Sequence, residues 1–176
     1  MYLYYTPASD NTQLNFVSLW DNKMSKEHLF MNIMSNIAER LKDLMDEAGI
    51  NITVLAERTG VDSSVISRIL KCERMPSTQT VVTLADFFGC TTDSLLGLSD
   101  FCRECTFKPR PPFSERLNFL LSNFHVTKYR LEKDTKLTEA TVDRWQKGKY
   151  EPTVESIIRL AEYFDCSVDF ILGREN

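Results

Sequence analysis

The sequence predicts an all-α protein built from two equivalent five-helix units in tandem. Three observations carry this. Residues 37–98 align with residues 113–174 at a constant offset of 76 without a gap, and sixteen of the 62 pairs are identical. Within each unit, apolar residues recur at helical spacing between capping residues and glycine stops. Runs alternating β-branched or aromatic residues with polar ones are missing, so no strand is expected.

The repeat is plainest where "LADFFGCTTDSLLG" (84–97) is rewritten as "LAEYFDCSVDFILG" (160–173). Identities nevertheless spread over the whole span, from Arg40/Arg116, Leu41/Leu117, Leu44/Leu120 and Leu55/Leu131 to Arg68/Arg144, Lys71/Lys147 and Pro76/Pro152. They continue through Leu84/Leu160, Ala85/Ala161, Phe88/Phe164, Cys90/Cys166, Asp93/Asp169 and Gly97/Gly173. Between them the apolar type is kept, as in Val61/Leu137, Ile66/Val142 and Val81/Ile157. A unit of about 62 residues can fold alone with modest stability.

The elements follow in order. "NIAERLKDLMDEAG" places Ile37, Leu41, Leu44 and Ala48 at helical spacing and stops at Gly49. "NITVLAERTG" starts on the capping residue Asn51 and ends at Gly60, a second short helix. "DSSVISRILKC" has Asp62 as N-cap and turns Val65, Ile66 and Ile69 inward. Pro76-Ser77 opens a fourth helix whose buried stripe is Val81, Leu84, Ala85 and Phe88, and "TTDSLLG" is a final short helix closed by Gly97. The second and third helices with their short turn, "LAERTGVDSSVISRI" and "LEKDTKLTEATVDRW", form a helix-turn-helix pattern. Small polar residues at the N-terminus of the third helix suit it to enter a major groove and reach base edges.

The totals bound the rest. A 43% hydrophobic, 26% charged composition is that of a globular chain, and no run of about 18 apolar residues could span a membrane. The start, "MYLYYTPASDNTQLNF", lacks the basic and apolar regions of a secretory signal, so a cytoplasmic location and free thiols are expected. A net charge of −4 argues against coating nucleic acid by bulk charge but leaves a local binding face open. No phosphate loop, paired carboxylates or nucleophile–base set points to an enzyme, and no cofactor is expected. "CREC" (Cys102, Cys105) has the spacing of half a zinc site, but no second pair accompanies it, and Cys90 and Cys166 align at a core position. His28 and His125 are isolated and read as surface or helix-end residues.

"AERTGVDSSVISRILKCERMPSTQTVVTLADFFGCTTDSLLG" resembles the phage-repressor-like (lambda-repressor-like) helix-turn-helix family, the Cro/CI or XRE type of DNA-binding domain. "TVDRWQKGKYEPTVESIIRLAEYFDCSVDFILG" resembles it more clearly still through its Trp, Gly, Pro and closing Asp-x-x-Leu-Gly. The resemblance covers residues 34–98 and 113–174, leaving 1–33 as an N-terminal extension and 99–112 as a linker. It implies double-stranded DNA as partner and places the contacts. In the first unit these are Ile52 and Thr53, then Ser63, Ser64, Ser67 and Arg68, with Lys71 and Arg74 on phosphates. In the second they are Lys128 and Tyr129, then Glu139, Ala140, Asp143 and Arg144, with Lys147 and Lys149 on phosphates.

Several positions depart from the family pattern. Ile52 and Lys128 stand where the family usually has Gln, and Ile52 cannot hydrogen-bond a base or phosphate. Glu139 and Asp143 have the wrong sign for a phosphate-lined groove, although an acid can accept from cytosine N4. A family Arg–Glu pair between the first and third helices is replaced by Met45 with Leu70 and by Leu121 with Gln146. Cations exceed anions by 7 to 5 across 126–151 and by 4 to 3 across 50–75, too small a margin to decide which unit binds.

The 14-residue linker could extend about 45–50 Å, more than the ~34 Å between adjacent major-groove faces, while Pro109, Pro111 and Pro112 stiffen its second half. One chain could therefore occupy two half-sites. Residues 1–33 match neither unit; an arm that packs on the first unit or mediates dimerisation, and a start site upstream of Met31 or Met34, both stay open. The expectation is a bacterial or phage-type regulator, of the repressor kind, reading operator DNA through both third helices. The alternative is a protein-interaction module, anti-repressor or antitoxin-like, in which one or both units have left DNA. Pairing with a second copy or with another protein is compatible with either.

Overall fold

The computed structural model describes residues 26–99 and 107–175, and every regular element among them is a helix. The first unit comprises α1 (Lys26–Glu47), α2 (Ile52–Thr59), α3 (Ser63–Leu70), α4 (Thr78–Phe88) and α5 (Thr92–Leu95). The second comprises α6 (Phe113–Asn123), α7 (Lys128–Thr135), α8 (Glu139–Gln146), α9 (Val154–Phe164) and α10 (Val168–Leu172). The bounds of α2, α3 and α4 recur in α7, α8 and α9 at an offset of 76 at both ends. The tandem all-α architecture is therefore that read from the sequence.

The backbone repeats more faithfully than the sequence. Left-handed residues occur in matched pairs, including Gly60 with Lys136, Cys72 with Gly148 and Gly89 with Asp165. Side-chain caps repeat too: Ser77 accepts from the Thr80 N–H and Thr153 from the Ser156 N–H. In both units a threonine ties the last turn of the second helix, Thr59 Oγ1 donating to the Leu55 carbonyl at 2.7 Å and Thr135 Oγ1 to that of Leu131 at 2.5 Å. Leu41, Leu55, Ile66 and Leu84 are fully buried, as are Leu117, Leu131, Val142 and Leu160. Phe88, expected in the buried stripe, is only partly covered and lies edge-on to Phe87.

The units differ at their starts. α1 begins at Lys26, eleven residues ahead of the start of the repeat at Ile37, and Ile33 and Met34 within this extension are themselves buried. Its extra turns bring Asn36 so close to Gly97 that a Cβ there would stand 2.7 Å from the Asn36 Cβ. In the second unit the linker takes that role, with Pro111 packed at 3.0 Å from the Cβ position of Gly173. Residues 1–25, and "CREC" with its Cys102 and Cys105, lie outside the described residues. Cys72, Cys90 and Cys166 are free thiols.

The two units meet through their last two helices about a local pseudo-twofold. The Thr92 N–H donates to Asp169 Oδ2 at 2.8 Å, and the Val168 N–H donates to both oxygens of Asp93 at 3.0 and 3.1 Å. Residues 92 and 93 are the repeat partners of 168 and 169, so this is the reciprocal contact of an isologous interface. Thr78, Val81 and Leu96 meet Val154, Ile157, Val168 and Leu172 around a small apolar gap beside it. Thr78 Oγ1 donates to the Pro152 carbonyl at 2.6 Å.

Asymmetric contacts complete the seam. Arg174, 1% exposed, pairs with the fully buried Asp169 and reaches across to Asp86 of α4, with Phe107 of the linker under its guanidinium at 4.1 Å. Arg110 donates to Glu151 at 2.8 Å and to Gln79 at 3.1 Å, tying the linker to both units. Within the second unit, away from the seam, Arg116 donates to the Phe170 and Ile171 carbonyls and lies on the Phe119 and Phe170 rings, which fastens α6 to the end of α10.

Burial pushes the Asp93 carboxyl up to about 6, with the neighbouring Asp169 adding and the Val168 and Asp169 amides opposing. Burial raises Asp169 as well, against the pull of Arg174. The folded chain thus holds these protons more tightly than the unfolded one, whose Asp side chains titrate near 3.8. The associated stability is full below about pH 4 and is lost as pH rises through about 6. Asp93→Asn keeps an oxygen acceptor without the charge. The protein is expected to melt higher at about pH 5 than at about pH 7.5, and the variant to narrow that gap; an unchanged gap in paired thermal melts would remove Asp93 as its source.

Candidate nucleic-acid interface

The geometry of the two helix-turn-helix segments starts from their turns. In the first, α2 ends on Gly60 (φ 72°), whose N–H returns to the Ala56 carbonyl, and the Val61 N–H donates to Thr59 Oγ1. Asp62 then caps α3 by accepting from the Ser64 N–H at 2.7 Å. Hydrogen bonds from the Ser64 side chain and backbone hold the Asp62 carboxyl below its ordinary range. In the second, Lys136 takes the left-handed turn position (φ 56°) and Thr138 caps α8 through the Thr141 N–H. Ile66 and Ile69 anchor α3, and Val142 and Trp145 anchor α8, so the opposite faces of both helices point outward. Trp145 packs edge-on to Phe113 at 5.7 Å.

Most of the residues expected to face DNA are exposed. Thr53, Ser63, Ser64, Arg68, Lys71 and Arg74 are exposed in the first unit, and Tyr129, Glu139, Ala140, Arg144, Lys147 and Lys149 in the second. Ser67, Ile52, Lys128 and Asp143 are only partly exposed. Lys128 and Asp143 form an ion pair, with Glu132 at 3.8 Å from the same ammonium group. That bond raises the Lys128 pKa and lowers that of Asp143. Of the two acids with the wrong sign, Asp143 is therefore neutralised from within, and Lys128 is correspondingly engaged. Gln146, in place of the family glutamate and with the apolar Leu121 where the family has arginine, donates instead to Asn118 at 3.3 Å.

Sequence reading passed over two features. The Arg144 guanidinium lies 5.6 Å from the centre of the Tyr150 ring, which is 63% exposed. Tyr150 is the repeat partner of Arg74, so one unit offers two arginines where the other offers an arginine on an aromatic platform. A Gly-Lys-Tyr run just beyond the third helix was the available signal. Arg110 was the other; its place in a proline-rich linker gave no sign that it would bridge Gln79 and Glu151. Cys166 carries no site chemistry, since burial beside Asp93 pushes its thiol up to about 12. Among the described residues no cluster of metal-ligating side chains forms, and no helix is long and apolar enough to cross a membrane.

Comparison with known families agrees with this geometry. Residues 41–95 match the family model described as helix-turn-helix, and residues 116–175 match that of the Cro/C1-type HTH DNA-binding domain. No curated protein and no solved structure matches the chain.

A side chain at Gly60 would meet nothing within 4 Å, so only its backbone conformation penalises substitution. Gly60→Ala is expected to destabilise by about 1–2 kcal/mol, and Lys136→Gly to stabilise by up to ~1 kcal/mol as relief of the same conformation outweighs added chain entropy. Urea unfolding of both variants checks the pair; a destabilised Lys136→Gly would contradict it.

Proposed function

The chain belongs to the Cro/C1-type helix-turn-helix family and carries its domain twice, and from that premise we propose that it is a repressor whose two third helices read operator DNA. That it is a DNA-binding regulator follows from the domains themselves; the sign of regulation and the reading residues are the proposal. The observation that carries it is the placement of Arg68 and Arg144, both exposed and at one repeat position on the outward face of α3 and α8. Arginine reads guanine through bidentate bonds to O6 and N7. Lys71 and Arg74, and Lys147 and Lys149, stand in the loops just beyond, where cations meet phosphates and set register. Ser63 and Ser64 leave the tip of α3 short and polar, and Glu139 at the tip of α8 suits a cytosine amino group. Occupancy would exclude polymerase, and the chain acts by binding rather than by catalysis.

One observation favours the second reading, a surface for a protein partner. Tyr129 is 72% exposed and Tyr150 63% exposed on the second unit, two large apolar rings left uncovered. The remaining outward residues of α3 and α8 are polar or charged rather than apolar, which supports DNA, since protein docking surfaces concentrate apolar area at their centre.

Selection from a random duplex pool followed by anisotropy titration tests the reading. Arg68→Ala and Arg144→Ala are each expected to weaken specific binding by ~1–3 kcal/mol and to relax preference at one base. Lys147→Ala or Lys149→Ala is expected to weaken binding to all sequences alike and to reduce the salt slope by about one for each phosphate no longer gripped. No enriched sequence, with a protein ligand recovered through Tyr129, would favour the alternative.

A further inference from the structure

We propose that a single chain, acting alone, fills a two-part operator whose half-sites are inverted but unlike; this rests on the DNA-reading function above and specifies its target. The seam sets the geometry. The exchange of Thr92 and Val168 amides for Asp169 and Asp93 carboxylates relates the two units by a pseudo-twofold, and a twofold relates their reader helices in the same way. Twofold-related readers match inverted half-sites spaced by about one helical turn or a whole multiple of it.

The loops leaving the readers place both on one side of the seam. Pro152, which accepts from Thr78 of the first unit, lies three residues beyond Lys149. Thr78 and its repeat partner Val154 both line the seam, so the segments following α3 and α8 converge on the axis. Arg110 pins that convergence by bonding Gln79 and Glu151 together. The phosphate-gripping cations of the two units therefore flank a shared axis, and the relation between the readers is fixed by packing rather than by linker length.

The half-sites must differ because the readers do. Arg68 and Arg144 match, which calls for a guanine at corresponding positions in both halves. Ser63 corresponds to Glu139 in the repeat, and Ser67 to an Asp143 already held by Lys128. A cytosine preference under Glu139 thus belongs to one half only. A homodimer of one-domain repressors repeats one reader and selects a palindrome; this chain already occupies its isologous face internally and presents two readers. The seam is itself unequal. Arg174 reaches Asp86, whereas the repeat partners of this pair are Leu98 and Glu162, so neither unit substitutes for the other.

The test takes the full-length chain, the duplex recovered by selection, and native mass spectrometry with anisotropy. One chain per duplex is expected, on two inverted, non-identical half-sites. Replacing the shared guanine in one half is expected to weaken binding roughly 10- to 100-fold. Arg68→Ala is expected to erase that discrimination in one half and Arg144→Ala in the other. Inserting about half a helical turn between the halves is expected to reduce affinity towards that of a single half-site, since the readers would face opposite sides. Two chains on a palindrome, tolerance of the insertion, or a site indifferent to one of the arginine variants would each overturn the proposal while leaving DNA reading intact. Failure to select any sequence would instead defeat the DNA-reading function, and this proposal with it.

Discussion

The first amides of a helix have no carbonyl partner within it, and burying them unpaired is costly. α5 and α10 are four and five residues long, and their starts are buried. Each takes an acceptor from the opposite unit, Asp169 for the Thr92 amide and Asp93 for those of Val168 and Asp169. Neither can keep this arrangement if the units part without finding water or another acceptor. The exchange makes the end of one domain the capping group of the other, and the positions of both readers depend on it.

Burying two carboxylates beside each other has its own cost, and the chain offsets it unequally. Asp169 receives Arg174, whose guanidinium is also shared with Asp86 and the Phe107 ring. Asp93 has only backbone amides and keeps a raised pKa. A buried pair of this sort contributes little net stability, yet removing one partner is severe because it strands the other. Its value here is in specifying one relative placement of the two domains. The readers inherit that placement: α3 and α8 rest on fully buried Ile66 and Val142, and their outward arginines project from a rigid base.

Much of this was legible in the sequence, and the reasons differ by element. The helices, their order and the helix-turn-helix turns follow from apolar spacing and capping residues that act locally, and the ordered helices recur at the offset of 76 found by alignment. Sixteen identities understate the likeness because left-handed positions need a backbone shape, not a residue: Lys136 and Asp165 do at some strain what Gly60 and Gly89 do freely. The shared Asp93/Asp169 pair was visible as an identity, but its role across the seam was not, since each acts on the other unit's helix. Arg174 and Arg110 were opaque for the same reason, their partners lying 88 and 41 residues away. At the reader surface, residue types were legible but pairings were not, so the Lys128–Asp143 bond and the Arg144–Tyr150 stack emerged only in three dimensions.

Amide hydrogen exchange at Thr92, Val168 and Asp169 tests the reciprocal capping most directly. These amides head short helices, where exchange is ordinarily fast. If the carboxylates hold them across the seam, they are expected to exchange as slowly as the core amides of α4 and α9, through opening of the whole interface. Rapid exchange at these three positions alongside protected α4 and α9 would mean that the units are not locked together, and the fixed relation between the readers would fall.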